Sequence, residues 1–137
     1  MPAPTCIAFG RSRAIASAIV DMLPNLFSTR AILGLPYSSE ELREALSIVE
    51  PPTEILLVGG AFSEAEAAEA GQVLAAYRKE IGAPGSGFCM RVPPHFMEDN
   101  PREVGMKLVV EWVREQCAGQ GITDEVCALL TQYVEVS

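Results

Sequence analysis

The sequence alternates four times between a short apolar run and a longer amphipathic run. The apolar runs have the length of buried strands and span residues 5–10, 29–35, 53–60 and 87–92. In the runs that follow them, apolar residues recur at helical spacing. Strands that alternate with helices favour βαβ units and parallel pairing. The alternation therefore predicts a three-layer α/β/α fold of Rossmann or flavodoxin-like type, with four parallel strands in the order 2-1-3-4.

The starts of the helices are marked by hydroxyl, acidic and amide side chains. Ser12 is placed to cap the first helix, and Asn100 before Pro101 predicts a cap and a first helical residue. Two capping boxes start the helices after strands two and three: Ser38 with Glu41, and Ser63 with Glu66. A last short helix is predicted after Thr123. No linker interrupts this series, so residues 1–137 are predicted to form a single domain.

Composition limits the classes of partner. A chain of 137 residues that is 49% hydrophobic can bury the core of about one domain. Its net charge of −8 disfavours nucleic acid, whose phosphates require a basic surface. Its apolar runs are far shorter than the ~18 residues of a membrane helix, and residues 1–4 do not resemble a secretory signal. We therefore expect a cytoplasmic protein without nucleic-acid or membrane contacts.

The cysteines and the single histidine do not have the spacing of a metal or redox site. Cys6 and Cys89 fall inside predicted strands, where a free thiol acts as a small apolar side chain. Cys117 and Cys127 lie in or near the last two predicted helices. We expect four reduced thiols and no metal site, because zinc requires a cluster of ligands.

Candidate ligand-binding residues follow strands one, three and four. An open parallel sheet binds its ligand at the carboxyl edge where the strand order reverses, here between strands one and three. Helix amino termini at this edge favour anions, and arginine side chains would pair with them. The predicted substrate-binding residues are Gly10, Arg11, Ser12, Arg13, Gly60, Phe62, Ser63 and Arg91.

His95 is the candidate catalytic residue, because an imidazole titrates near neutral pH and suits general acid–base catalysis. It is predicted in a loop after Pro93 and Pro94, at the same edge of the sheet. This arrangement favours a cofactor-independent isomerase, lyase or hydratase acting on a small anionic or polyketide-like molecule. Two alternatives remain open. One is a non-catalytic ligand-sensing or subunit module, and the other is a degenerate NAD(P)-binding oxidoreductase.

The turn after strand one resembles the opening turn of the short-chain dehydrogenase/reductase family over residues 9–19. That family's pattern is G-x-x-x-G-x-G, and Gly10, Ala14 and Ala16 occupy its three glycine positions. The resemblance implies a Rossmann-type core with an NAD(P) site. However, Leu35-Pro36-Tyr37 supplies no acid for a ribose after strand two, and no tyrosine is followed four residues later by lysine. Dinucleotide binding is therefore disfavoured, and no cofactor is expected.

The helix after Asn100 is apolar around more of its circumference than one sheet-facing stripe requires. Two apolar sets are present that cannot share a single stripe: Val104, Leu108 and Trp112, and Val109, Val110 and Val113. The surplus predicts a symmetric homodimer through this helix and the last helix.

Overall fold

The computed structural model describes residues 4–23 and 26–121, which contain one four-stranded sheet and five helices. The strands are β1 (Thr5–Phe9), β2 (Ser28–Leu33), β3 (Ile55–Val58) and β4 (Phe88–Arg91). The helices are α1 (Arg13–Asp21), α2 (Ser39–Ile48), α3 (Glu64–Glu80), α4 (His95–Glu98) and α5 (Arg102–Gly119). Every strand pair is parallel and the order is β2-β1-β3-β4. The predicted fold class and strand order are confirmed.

The sheet is the middle of three layers. Alternate residues of β1 enter opposite clusters, with Cys6 and Ala8 on one face and Ile7 and Phe9 on the other. The first cluster includes the buried valines of α5, and partly buried residues of α1 pack against it. The second contains the buried residues of α2 and α3. This two-sided burial explains why β3, and β1 after Thr5, are apolar without interruption.

The predicted helix caps are formed at α1 and α3. Ser12 Oγ accepts a hydrogen bond from the Ile15 amide at 3.3 Å. At α3 the capping box is complete, because Ser63 Oγ accepts from the Glu66 amide and a Glu66 carboxylate oxygen accepts from the Ser63 amide. At α2 only the first half of the box forms, from the Glu41 amide to Ser38 Oγ. These local patterns fix where the helices begin.

Two predictions around residue 100 are wrong. Residues 95–98 form the short helix α4 where a loop was expected. Pro101, not Asn100, holds the cap position of α5 and is not the first helical residue, and no side chain caps this helix. The side-chain amide of Asn100 instead donates to the Phe96 carbonyl at 3.1 Å, because the end of α4 leaves carbonyls that need donors.

The two apolar sets of α5 are divided between the core and the surface. Gly105, Val109, Val110, Val113 and Cys117 are buried. On the other side, Val104 is 47% exposed and Leu108 and Trp112 are half-buried. The predicted last helix and Cys127 lie outside the described residues.

Candidate functional site

A cleft of about 930 Å³ opens at the carboxyl edge of the sheet, between β1 and β3. One wall is the turn after β1, from Gly10 to Ser12, which leads into α1. The other is the turn after β3, from Gly59 to Ala61, together with Pro93 and Pro94 after β4. This is the point where the strand order reverses, and it is where open α/β sheets bind ligands.

Glycine allows these turns to approach one another closely. A Cβ atom on Gly10 would lie 2.8 Å from Cβ of Ala16, and one on Gly60 would lie 2.7 Å from Cα of Pro94. The turns also continue the sheet's bonding, since the Gly10 amide donates to the Leu33 carbonyl and the Gly59 amide to the Phe9 carbonyl. The floor of the cleft is therefore rigid backbone.

The walls of the cleft are mostly apolar, with two charged residues among them. Apolar side chains come from α1, from the chain after β2, from α4 and from α5: Ile15, Ile19, Leu35, Met97 and Val109. The charged residues are Arg11 and Glu98, and both are exposed. The cleft thus combines an apolar trough with one positive and one negative group at its opening.

Four of the predicted binding residues line this cleft: Gly10, Arg11, Ser12 and Gly60. The Ser12 hydroxyl and carbonyl accept from the amides of Ile15 and Ala16. Ser12 therefore serves both as the cap of α1 and as part of the wall.

Three predicted binding residues lie elsewhere. Phe62 is 1% exposed and packs edge-on against Phe9, with ring centroids 5.6 Å apart, so it belongs to the core. Ser63 is exposed and caps α3, and Arg13 is exposed at the start of α1; neither lines the cleft.

His95 is exposed on α4 and does not line the cleft. Its ring packs against Phe96, with centroids 4.7 Å apart and planes at 64°. Glu98 lies three residues later on the same helix and does line the cleft. The titratable residue that α4 contributes to the wall is thus a carboxylate, which the sequence analysis did not include among the site residues.

Arg91 lines a second cavity of about 450 Å³, together with Glu64, Ala67, Pro93 and Pro94. The two prolines border both cavities and separate them. Arg91 is half-buried, and its Nε donates to the Phe62 carbonyl at 2.8 Å. Of the three predicted arginines, Arg11 thus lines the cleft, Arg91 lines the second cavity and Arg13 lines neither.

Two residues at this edge of the sheet differ from those of a dinucleotide site in the dehydrogenase family. Ala14 stands at the second glycine position, where that family's backbone comes close to the pyrophosphate, and its side chain adds a methyl group there. At the end of β2 the exposed Leu35 lines the cleft where an acidic residue would bind a ribose.

No disulfide bond forms among the cysteines of the described residues, which are Cys6, Cys89 and Cys117. Burial raises the pKa of the Cys6 thiol far above its ordinary value and that of Cys89 to about 11. Neutral thiols are weak nucleophiles. In the described part of the chain, no three His, Cys, Asp or Glu side chains are grouped as metal ligands would be.

Comparison of the sequence with models of known protein families, with curated proteins and with solved structures found no match. Among the described helices, none has the length and apolar character needed to cross a bilayer.

Proposed function

We propose that this protein binds a small organic molecule with an apolar body and one anionic group in the cleft between β1 and β3. The observation that carries the proposal is the cavity of about 930 Å³ at the reversal of strand order. Its volume falls in the range of about 300–1,000 Å³ that is typical of ligand pockets, and its mostly apolar walls are typical as well.

The anionic group is favoured by the turn after β1. Arg11 supplies a guanidinium at the opening of the cleft. The start of α1 lies beside this arginine, because Ser12, which caps the helix, and Ile15 both line the cleft. The amino terminus of a helix attracts negative charge. An apolar chain would lie against Ile15, Ile19 and Val109.

Isothermal titration of the full chain with hexanoate and with hexanol tests this proposal, because the two share a chain and differ in charge. Hexanoate should bind more tightly. Ala61→Trp should block the cleft, whereas Ala76→Trp, on the exposed side of α3, should not. Arg11→Gln should lower the affinity for hexanoate about tenfold, a typical value for the loss of a charged hydrogen bond. Unchanged hexanoate binding by Ala61→Trp would contradict the proposal.

A cofactor-independent isomerase, lyase or hydratase is the second candidate. It is favoured by Glu98, a carboxylate that lines the cleft together with apolar side chains, where it could accept a proton from a bound molecule. His95, on the same short helix, is the second titratable group of this hypothesis.

Deuterium exchange separates catalysis from binding. With 4-oxopentanoate in D₂O, the enzyme hypothesis predicts C–H exchange about 10²–10⁴-fold above the protein-free rate, the usual contribution of acid–base catalysis. Glu98→Gln should abolish it, and His95→Ala should reduce it if the imidazole takes part. Asp99→Asn, next to Glu98 and exposed outside the wall, is the matched control. Binding without exchange would support a ligand-sensing module, and tight NADP binding would support the oxidoreductase alternative.

The proposal also includes a cytoplasmic homodimer. The location is compatible with Cys6, Cys89 and Cys117, which form no disulfide bond with one another, as is usual in a reducing compartment. The apolar side of α5, on which Val104 is exposed, supports the dimer, because exposed apolar patches often mark protein–protein contacts.

A further inference from the structure

The second cavity has its own walls and its own charges. It lies between the end of β4 and the first turns of α3, and Arg91, Glu64 and Ala67 line it. Arg91 follows Met90, which faces the first core cluster, so its side chain emerges on the α3 side of the sheet. Pro93 and Pro94 separate this cavity from the cleft.

The guanidinium of Arg91 is held in place with its outer edge free. Nε donates to the Phe62 carbonyl at 2.8 Å, while the two terminal nitrogens have no hydrogen-bond partner or ion pair within the described residues. The side chain is half-buried. A fixed guanidinium with free terminal nitrogens matches the two oxygens of a carboxylate, and it loses little side-chain entropy on binding.

Glu64 places a negative charge at the same cavity. It is exposed, and it forms no ion pair with Arg91. The capping box of α3 uses the carboxylate of Glu66, so Glu64 has no capping role. With two carboxylates in the first turn, a phosphate dianion would be repelled, whereas a ligand with a positive group beside its carboxylate would be attracted.

We propose that this cavity binds a zwitterion of the amino-acid type, with its carboxylate on Arg91 and its ammonium group on Glu64. Each of the two side chains then pairs with one charge of the ligand. The proposal does not depend on what the cleft binds, because the walls that carry charge in the two sites are different.

Nuclear magnetic resonance titration of the full ¹⁵N-labelled chain tests the proposal. The probes are 2-aminobutyrate and butyrate, which share a carbon chain and differ in the ammonium group. We expect saturable shifts at the Arg91 Nε–H signal and at the amides of Glu64 and Ala67, with 2-aminobutyrate binding about tenfold more tightly. Signals of Gly10 and Arg11 report the cleft separately, so failure of one site does not imply failure of the other.

Substitutions test which side chain binds the carboxylate and which binds the ammonium group of the ligand. Arg91→Gln should abolish saturation by both probes, while Arg30→Gln, an exposed arginine on β2, should leave it unchanged. Glu64→Gln should remove the preference for 2-aminobutyrate, and Glu80→Gln, at the far end of α3, should retain it. Because Glu64 is exposed, its variant tests the proposal even if Arg91→Gln does not fold. Equal binding of the two probes, or tighter binding of inorganic phosphate, would overturn the zwitterion site.

Discussion

Arg78 is the most deeply buried charged side chain among the described residues, at 4% exposure. Its guanidinium donates to three carbonyls, those of Thr53, Pro84 and Gly85, at 2.8, 2.6 and 3.2 Å. These bonds tie α3 to the chain that enters β3 and to the loop before β4. Removal of the guanidinium leaves several carbonyls without donors, and buried carbonyls without partners are costly.

We therefore expect Arg78→Met to lower the free energy of unfolding by about 2–4 kcal/mol, in line with the loss of a buried charged network. Urea denaturation of the full chain measures this change. Lys79→Met is the matched control, because Lys79 is exposed on the same turn of α3; surface substitutions of this kind cost less than about 0.5 kcal/mol. Equal effects of the two substitutions would show that the carbonyl contacts of Arg78 do not stabilise the fold.

Ionisation of the Cys89 thiol makes the stability of the fold depend on pH in the alkaline range. Burial raises its pKa from 9.0 to about 11, and its thiol donates to the Ala67 carbonyl at 3.5 Å. The raised value means that the folded state favours the protonated thiol. The stability from this group is therefore complete below pH 9 and is lost as the pH rises from 9 to 11.

The expected result is a smaller alkaline loss of stability in Cys89→Ser than in the unmodified protein, because serine does not titrate in this range. Urea denaturation at pH 8 and at pH 10.5 gives the two losses to compare. Cys6 is present in both proteins and contributes equally. Parallel losses in the two proteins would exclude a role for the Cys89 thiol.

Two glycines test how closely the elements approach one another. A Cβ atom on Gly60 would lie 2.7 Å from Cα of Pro94 and 3.0 Å from the Val92 carbonyl, whereas one on Gly119 would meet nothing within 4 Å. Gly60→Ala must push apart the turns after β3 and β4. We expect it to lower the free energy of unfolding by about 1–3 kcal/mol, the usual range for overpacking. Gly119→Ala, at the end of α5, should gain up to about 1 kcal/mol from helix propensity. Thermal unfolding of both variants gives the comparison, and stabilisation by Gly60→Ala would contradict this contact.

Sequence reasoning succeeded where an element depends on its own residues. The caps at Ser12 and Ser63 are local hydrogen bonds between residues three apart, so spacing alone predicted them. Prediction from the sequence failed where contacts with a neighbouring element determine the local structure. α4 has four residues, too few for an apolar period, and the Asn100 side chain bonds to that unforeseen helix.

The sequence predicted where a cleft would lie, but only some of the residues that line it. The reversal of strand order placed the cleft between the turns after β1 and β3, and Gly10, Arg11, Ser12 and Gly60 line it. Phe62 was predicted to bind substrate, but its ring packs against Phe9 in the core. Glu98 was missed as a wall residue because its position depends on α4, and no sequence period indicates a helix that short.

The predicted dimer concerns the surface of the whole molecule. Val104 of α5 is 47% exposed beside the half-buried Leu108, and together they form an apolar stripe of the kind that two-fold interfaces bury. Sedimentation velocity of the unmodified chain in the micromolar range should give a dimer, and Val104→Glu should shift it toward monomer. Ile48→Glu is the control, since Ile48 is 71% exposed on α2, on the opposite face of the sheet. A monomeric unmodified protein, or a dimer that survives Val104→Glu but not Ile48→Glu, would exclude α5 as the interface.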